Sequence, residues 1–142
     1  MGKITIEESI IENGFHIATV VGDSMMPLLR EGIDTVTVVP VTKPLKKLDL
    51  PLYKRPSGQY VLHRIIGVRK NHYIICGDNR TNKEKVPKDW IIGVAESFYI
   101  GDKKVSVEDP EYIAYVKDVR RKFFPKYIKS LFKRLKNKLI KK

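Results

Sequence analysis

The residue with the clearest chemical potential is Ser24, within Gly22-Asp23-Ser24-Met25-Met26-Pro27. It follows Phe15 to Val21, a β-branched and aromatic run that reads as a strand. A turn at that point can lift a hydroxyl to the rim of a sheet. A serine hydroxyl stays protonated at neutral pH, so it becomes a nucleophile only when a positioned base takes its proton. The chain offers His16, His63 and His72. His63 lies inside Tyr60–Val68, a long strand-like run, and a strand interior would fix an imidazole well. Each residue also has an ordinary reading: serine as a turn former, and a strand histidine as a half-buried surface group. Cys76, the only cysteine, rules out an intramolecular disulfide. With no activating neighbour it reads as a small buried hydrophobe.

Short elements must position these groups. Residues 4–12 form an amphipathic segment, read as a helix with Ile4, Ile6, Ile10 and Ile11 on its apolar side, ended by Asn13-Gly14. Strand signals follow at Thr35–Val39, from Leu52-Tyr53, at Tyr60–Val68, Tyr73–Cys76, Trp90–Ile100 and Val105–Val107. Arg55-Pro56-Ser57-Gly58 and Gly101-Asp102-Lys103-Lys104 are hairpin turns, and 77–88 reads as a polar loop. Many short strands with turns between them predict a mainly β domain of coiled, barrel-like sheets. The 142 residues suffice for one such domain, here 1–109.

A basic tail, 110–142, follows. It holds 12 of the 28 Lys and Arg residues and 2 of the 16 acidic ones, so it carries +10 of the net +12. Asp109 and Pro110 suit a helix start. Tyr112, Val116, Val119, Phe123, Tyr127, Leu131, Leu135 and Leu139 recur at helical spacing among the Lys and Arg residues. Pro125 is expected to bend or break this helix. An apolar stripe with a basic face suits an anionic membrane surface. A helix packed on the domain with a solvated basic face is the plainer alternative. Nucleic-acid binding by charge alone is a third, without a recognition helix or base-stacking motif to support it. The apolar runs are too short to cross a bilayer, and the first residues lack the apolar core of a secretory signal. These features predict a peripheral protein on the cytoplasmic side of a membrane.

The segment Gly22-Asp23-Ser24-Met25-Met26-Pro27 resembles the nucleophile box of the signal peptidase I and LexA-type serine peptidase clan. Further segments fall in that clan's order over roughly residues 15–100. Val36-Thr37-Val38 is similar to its next strand. Leu48-Asp49-Leu50-Pro51-Leu52-Tyr53 resembles its Gly-Asp-x-x-x-Tyr segment, with Leu48 in place of glycine. Val61-Leu62-His63-Arg64-Ile65-Ile66 resembles the base-bearing strand, Gly77-Asp78-Asn79 the Gly-Asp-Asn loop, and Ile92-Gly93-Val94 the closing strand. Histidine rather than lysine at the base position is similar to the endoplasmic-reticulum-type subgroup.

The resemblance implies a signal-peptidase-type fold and a serine endopeptidase that needs no metal or cofactor. Ser24 would be its nucleophile and His63 its general base. Asp78 would accept a hydrogen bond from the imidazole, and Glu84, where the subgroup has Asp, would be an accessory acid. The backbone N–H of Ser24, with a neighbour at Gly22, would form the oxyanion hole, because Gly22 supplies no hydroxyl there. Met25 and Met26 would line the cleft or pack in the core. The implied partners are a peptide or preprotein with small residues before the cut, and a membrane surface. A LexA-type regulator would need lysine at 63 and a DNA-binding module ahead of the peptidase. A catalytically inactive relative serving as a binding module is the other alternative.

Overall fold

A computed structural model describes residues 4–140, apart from the side chains at 124, 127 and 138–140. Helix α1 spans Ile6–Asn13: the Thr5 hydroxyl accepts the Glu8 N–H at its start, and Gly14, at φ 80°, closes it in a left-handed conformation that glycine adopts without penalty. Ile10 is its buried anchor. Ile4 and Ile11, expected on the buried side, are exposed.

The strands are β1 (His16–Thr19), β2 (Thr35–Val39), β3 (Pro51–Lys54), β4 (Tyr60–Leu62), β5 (Arg64–Val68), β6 (His72–Cys76), β7 (Glu84–Pro87), β8 (Ile91–Ile100) and β9 (Lys103–Ser106). They build two antiparallel sheets. The larger runs β1-β2-β8-β3-β4, with β9 also on β8; the smaller is β5-β6-β7. The domain is mainly β, with a curled half-barrel sheet. The register shifts between Thr37 and Val38 against β8, and between Leu52 and Tyr53, where local bulges add twist. One apolar core, including Leu29, Val38, Leu50 and Phe98, lies between the large sheet and the helices. A second, around Tyr53, Ile65, Ile75 and Val86, joins the two sheets.

Three expectations are corrected. Tyr60–Val68 is not one strand: it breaks at His63, with Leu62 paired to Leu52 in the large sheet and Arg64 paired to Cys76 in the small one. The longest strand is β8, with 10 residues. The polar loop 77–88 contains β7, whose Glu84-Lys85-Val86-Pro87 buries only Val86 and so shows little strand signal. Finally, α2 (Pro110–Ile140) runs unbroken through Pro125. An interior proline costs a helix about 3 kcal/mol. Here contacts on both sides of it offset that cost: Tyr112 and Val116 sit in the core, and Ser130 meets Thr81 at 3.1 Å.

The beginning of the basic tail is thus integrated into the domain rather than free of it. Of its predicted apolar stripe, the side chains of Tyr127 and Leu139 lie outside the described residues. Leu135 and Phe132 are exposed.

Candidate active site

The change of sheet at position 63 is what places the imidazole. Chain leaving β4 must turn into β5, so His63 projects from the seam between the sheets, beside the end of β6. The serine arrives from the other direction. β1 ends at Thr19, Val20 donates to the Asp34 carbonyl, and Gly22, at φ 81°, turns the chain toward Asp23 and Ser24. A Cβ at position 22 would meet nothing within 4 Å, so conformation rather than crowding is what requires glycine there.

The two groups meet. His63 Nε2 lies 2.8 Å from Ser24 Oγ, across 39 positions of sequence. Burial, aided by the Arg55 guanidinium, pushes the imidazole down to about 4, against the opposing pull of Glu84. At neutral pH the ring is therefore uncharged, the state a base must be in to accept the serine proton.

The Gly77–Arg80 loop holds the nucleophile turn. Asn79 N–H donates to the Ser24 carbonyl at 2.8 Å, and the Asn79 side-chain amide donates to the Asp23 carbonyl at 3.1 Å. Arg80 pairs with the Asp23 carboxylate. Gly77 is squeezed between Ser24 and His63: a Cβ on it would lie 2.7 Å from the Ser24 carbonyl oxygen and 3.2 Å from the imidazole Nε2.

Asp78 does not take the place expected beside the imidazole. Its Oδ1 accepts from Arg64 Nε at 2.7 Å, and its Oδ2 accepts from Arg64 Nη2 and the Tyr115 hydroxyl, both at 2.8 Å. The fork of a neighbouring arginine captures both carboxylate oxygens. Arg64 is 1 % exposed, and its remaining nitrogen, Nη1, donates to the Leu48 carbonyl and the Tyr112 hydroxyl. Among the described residues, Ser24 is the one hydrogen-bond partner of the His63 ring. The site is a dyad.

Two carboxylates favour the imidazolium through their fields, Glu84 more strongly than Asp78. Burial works against the Glu84 charge, but hydrogen bonds from Arg55 and Tyr53 outweigh this and hold it below the usual carboxylate range. Tyr53 donates at 2.7 Å, and Arg55 at 3.0 and 2.8 Å. Met25 is a core residue at 2 % exposure, with its sulfur 3.4 Å from the Asp78 N–H, whereas Met26 is exposed. Among the described residues the N–H groups of Gly22 and Ser24 donate to no acceptor, which leaves them available to an oxyanion. Burial pushes the Cys76 thiol up to about 11, so it is protonated and inert.

Leu48 has φ 81°. That left-handed conformation suits glycine and costs other residues roughly 1–2 kcal/mol. The packing of Leu48 against the larger core and the Arg64 bond to its carbonyl hold it in place. The bracing by Arg64, Tyr112, Tyr115 and Lys126 was not apparent from the sequence. Arg64 showed itself only as the neighbour of His63, and the α2 groups resembled any basic amphipathic helix.

No protein-family model matches the chain, and no curated protein is significantly similar to it.

Proposed function

We propose that this protein is a serine endopeptidase of signal-peptidase type that cleaves leader or signal peptides through a Ser24–His63 dyad. The observation that carries the reading is the 2.8 Å contact between a serine hydroxyl and a buried, uncharged imidazole. The resemblance of the segments around Ser24, His63 and Asp78 to the signal peptidase clan supports the same reading. Ser24 Oγ attacks the scissile carbonyl while His63 Nε2 takes its proton. The oxyanion is held by the Ser24 N–H, with Gly22 beside it. Collapse expels the amine, which receives the proton from His63 and leaves an acyl group on Ser24. His63 then takes a proton from water, and the resulting attack frees Ser24. Glu84, braced by Tyr53 and Arg55, favours the transient imidazolium through space.

The substrate binds as an extended segment with small residues before the cut, as the resemblance implies. In this reading the outer half of α2 attaches the enzyme to an anionic membrane surface from the cytoplasmic side: Phe132 and Leu135 are exposed among Lys133, Arg134 and Lys136. Among the described residues no helix is long and apolar enough to cross a membrane.

The test is cleavage of a fluorogenic leader-peptide library in the presence of anionic vesicles, comparing wild type with Ser24→Ala and His63→Ala. Loss of about a hundredfold or more in both variants supports the dyad. No cleavage by the wild type, or equal cleavage by the variants, makes a binding module on the same fold the better account.

A further inference from the structure

We infer that α2 is a positioning element of the active site, acting through Tyr115 and Lys126 on the loop that clamps Ser24 and His63. The inference rests on the dyad reading above and gives the helix a role beyond attachment to a surface.

Two contacts from α2 converge on one residue. Tyr115 donates to the Asp78 carboxylate at 2.8 Å, and Lys126 Nζ donates to the Asp78 carbonyl at 2.7 Å. They come from either side of Pro125 and grip Asp78 at both its side chain and its backbone. The flanking residues are the ones that touch the chemistry. Gly77 lies against the Ser24 carbonyl and the imidazole, and Asn79 donates to the Ser24 carbonyl. A shift of the loop at Asp78 therefore moves both of the groups that define the nucleophile–base distance.

Burial tightens the connection. Arg64, adjacent to His63 in the chain, is locked to Asp78 and to Tyr112 of the same helix. The helix, the loop and the seam between the sheets thus form one hydrogen-bonded unit. If Tyr115 and Lys126 only stabilised the fold, their loss would lower stability and leave the chemistry alone. As positioning residues they should affect the reaction in the folded enzyme.

The 142-residue chain is compared with Tyr115→Phe, Lys126→Met and, as a control on the exposed side of the inner half of the helix, Lys117→Ala. Melting temperature, kcat and KM on the best library peptide, and the NMR titration of the His63 ring are measured. The groups acting on that ring are Arg55, Glu84, Arg80 and Asp78. Positioning predicts that Tyr115→Phe and Lys126→Met each lower kcat about tenfold with KM within twofold, while the variants remain folded at the assay temperature. It also predicts a displaced His63 titration, with Lys126→Arg restoring both values and Lys117→Ala resembling the wild type. If kcat and the titration of the two variants stay within twofold of wild type, or move only as the fold melts, the inference is overturned. A wild type that cleaves nothing overturns the peptidase reading. In that case the titration alone decides whether α2 is coupled to the dyad.

Discussion

Replacing Gly77 by alanine adds only one carbon and two hydrogens, yet the structure predicts that it forces Ser24 and His63 out of place. The new Cβ would sit 2.7 Å from the Ser24 carbonyl oxygen, whereas ordinary contact begins at 3.4 Å, so the loop and the nucleophile turn must separate by about 0.7 Å. That displacement stretches the Asn79–Ser24 hydrogen bond from 2.8 Å to roughly 3.5 Å, at the limit of a useful bond. It also pushes the imidazole, whose Nε2 and Cδ2 would be 3.2 Å from the added carbon. Misplacing reacting groups by about 1 Å costs up to a hundredfold in rate, and overpacking costs roughly 1–3 kcal/mol in stability. Gly77→Ala should therefore reduce kcat/KM by about thirty- to a hundredfold. Gly58→Ala is the control. It meets the strain of φ 92° in open space within the Arg55–Gly58 turn, so it should cost about 1 kcal/mol of stability and leave the rate unchanged. Steady-state peptide cleavage, read beside urea unfolding, separates the two effects. A Gly77→Ala enzyme within threefold of wild type would refute the argument that this glycine spaces the dyad.

Other perturbations have calculable outcomes. Because the folded His63 titrates near 4 rather than 6.5, cleavage should hold constant from pH 7 to about 5 and fall by half near 4, as a pH–rate profile would show. The same shift means that the unfolded chain binds the proton first. Stability present above pH 6.5 should decline as pH falls toward 4, by about 3 kcal/mol from this residue, measurable by urea titration at each pH. Arg64→Leu leaves the Asp78 carboxylate buried without its cation and should cost about 3–5 kcal/mol in urea unfolding, while a cost below 1 kcal/mol would show that the pair is dispensable. Replacing Lys133 or Lys136 by Gln should each weaken binding to anionic vesicles about fivefold at low salt, the equivalent of about 1 kcal/mol per charge, with the difference shrinking as salt is raised.

The strands of the large sheet were legible where buried Val alternates with half-buried Thr, as in Thr35–Val39. The site was legible in part for a different reason. Ser24 and His63 belong to short segments with recognisable chemistry, and the structure brings them together. What stayed hidden was non-local. Nothing in Leu62-His63-Arg64 marks the point where one strand ends and the next joins another sheet, since each half pairs with a partner far away in the chain. Asp78 was placed beside the imidazole because it looked like a third catalytic member, but the buried Arg64 competes for the same carboxylate and wins with two donors. β7 escaped notice because its short, polar sequence is held by pairing with β6 rather than by its own propensity. The bracing by α2 depends on which helix face meets the loop, and a helix of alternating lysines and apolar residues does not reveal that.

The proposed reaction acylates Ser24 with the help of His63. Rapid acid quenching during cleavage of the best leader peptide, followed by mass spectrometry of the digested enzyme, tests it directly. An adduct with the mass of the N-terminal peptide fragment is expected on the segment containing Ser24, absent in Ser24→Ala and greatly reduced in His63→Ala. Cleavage that proceeds without such an adduct and survives Ser24→Ala would contradict the proposed reaction.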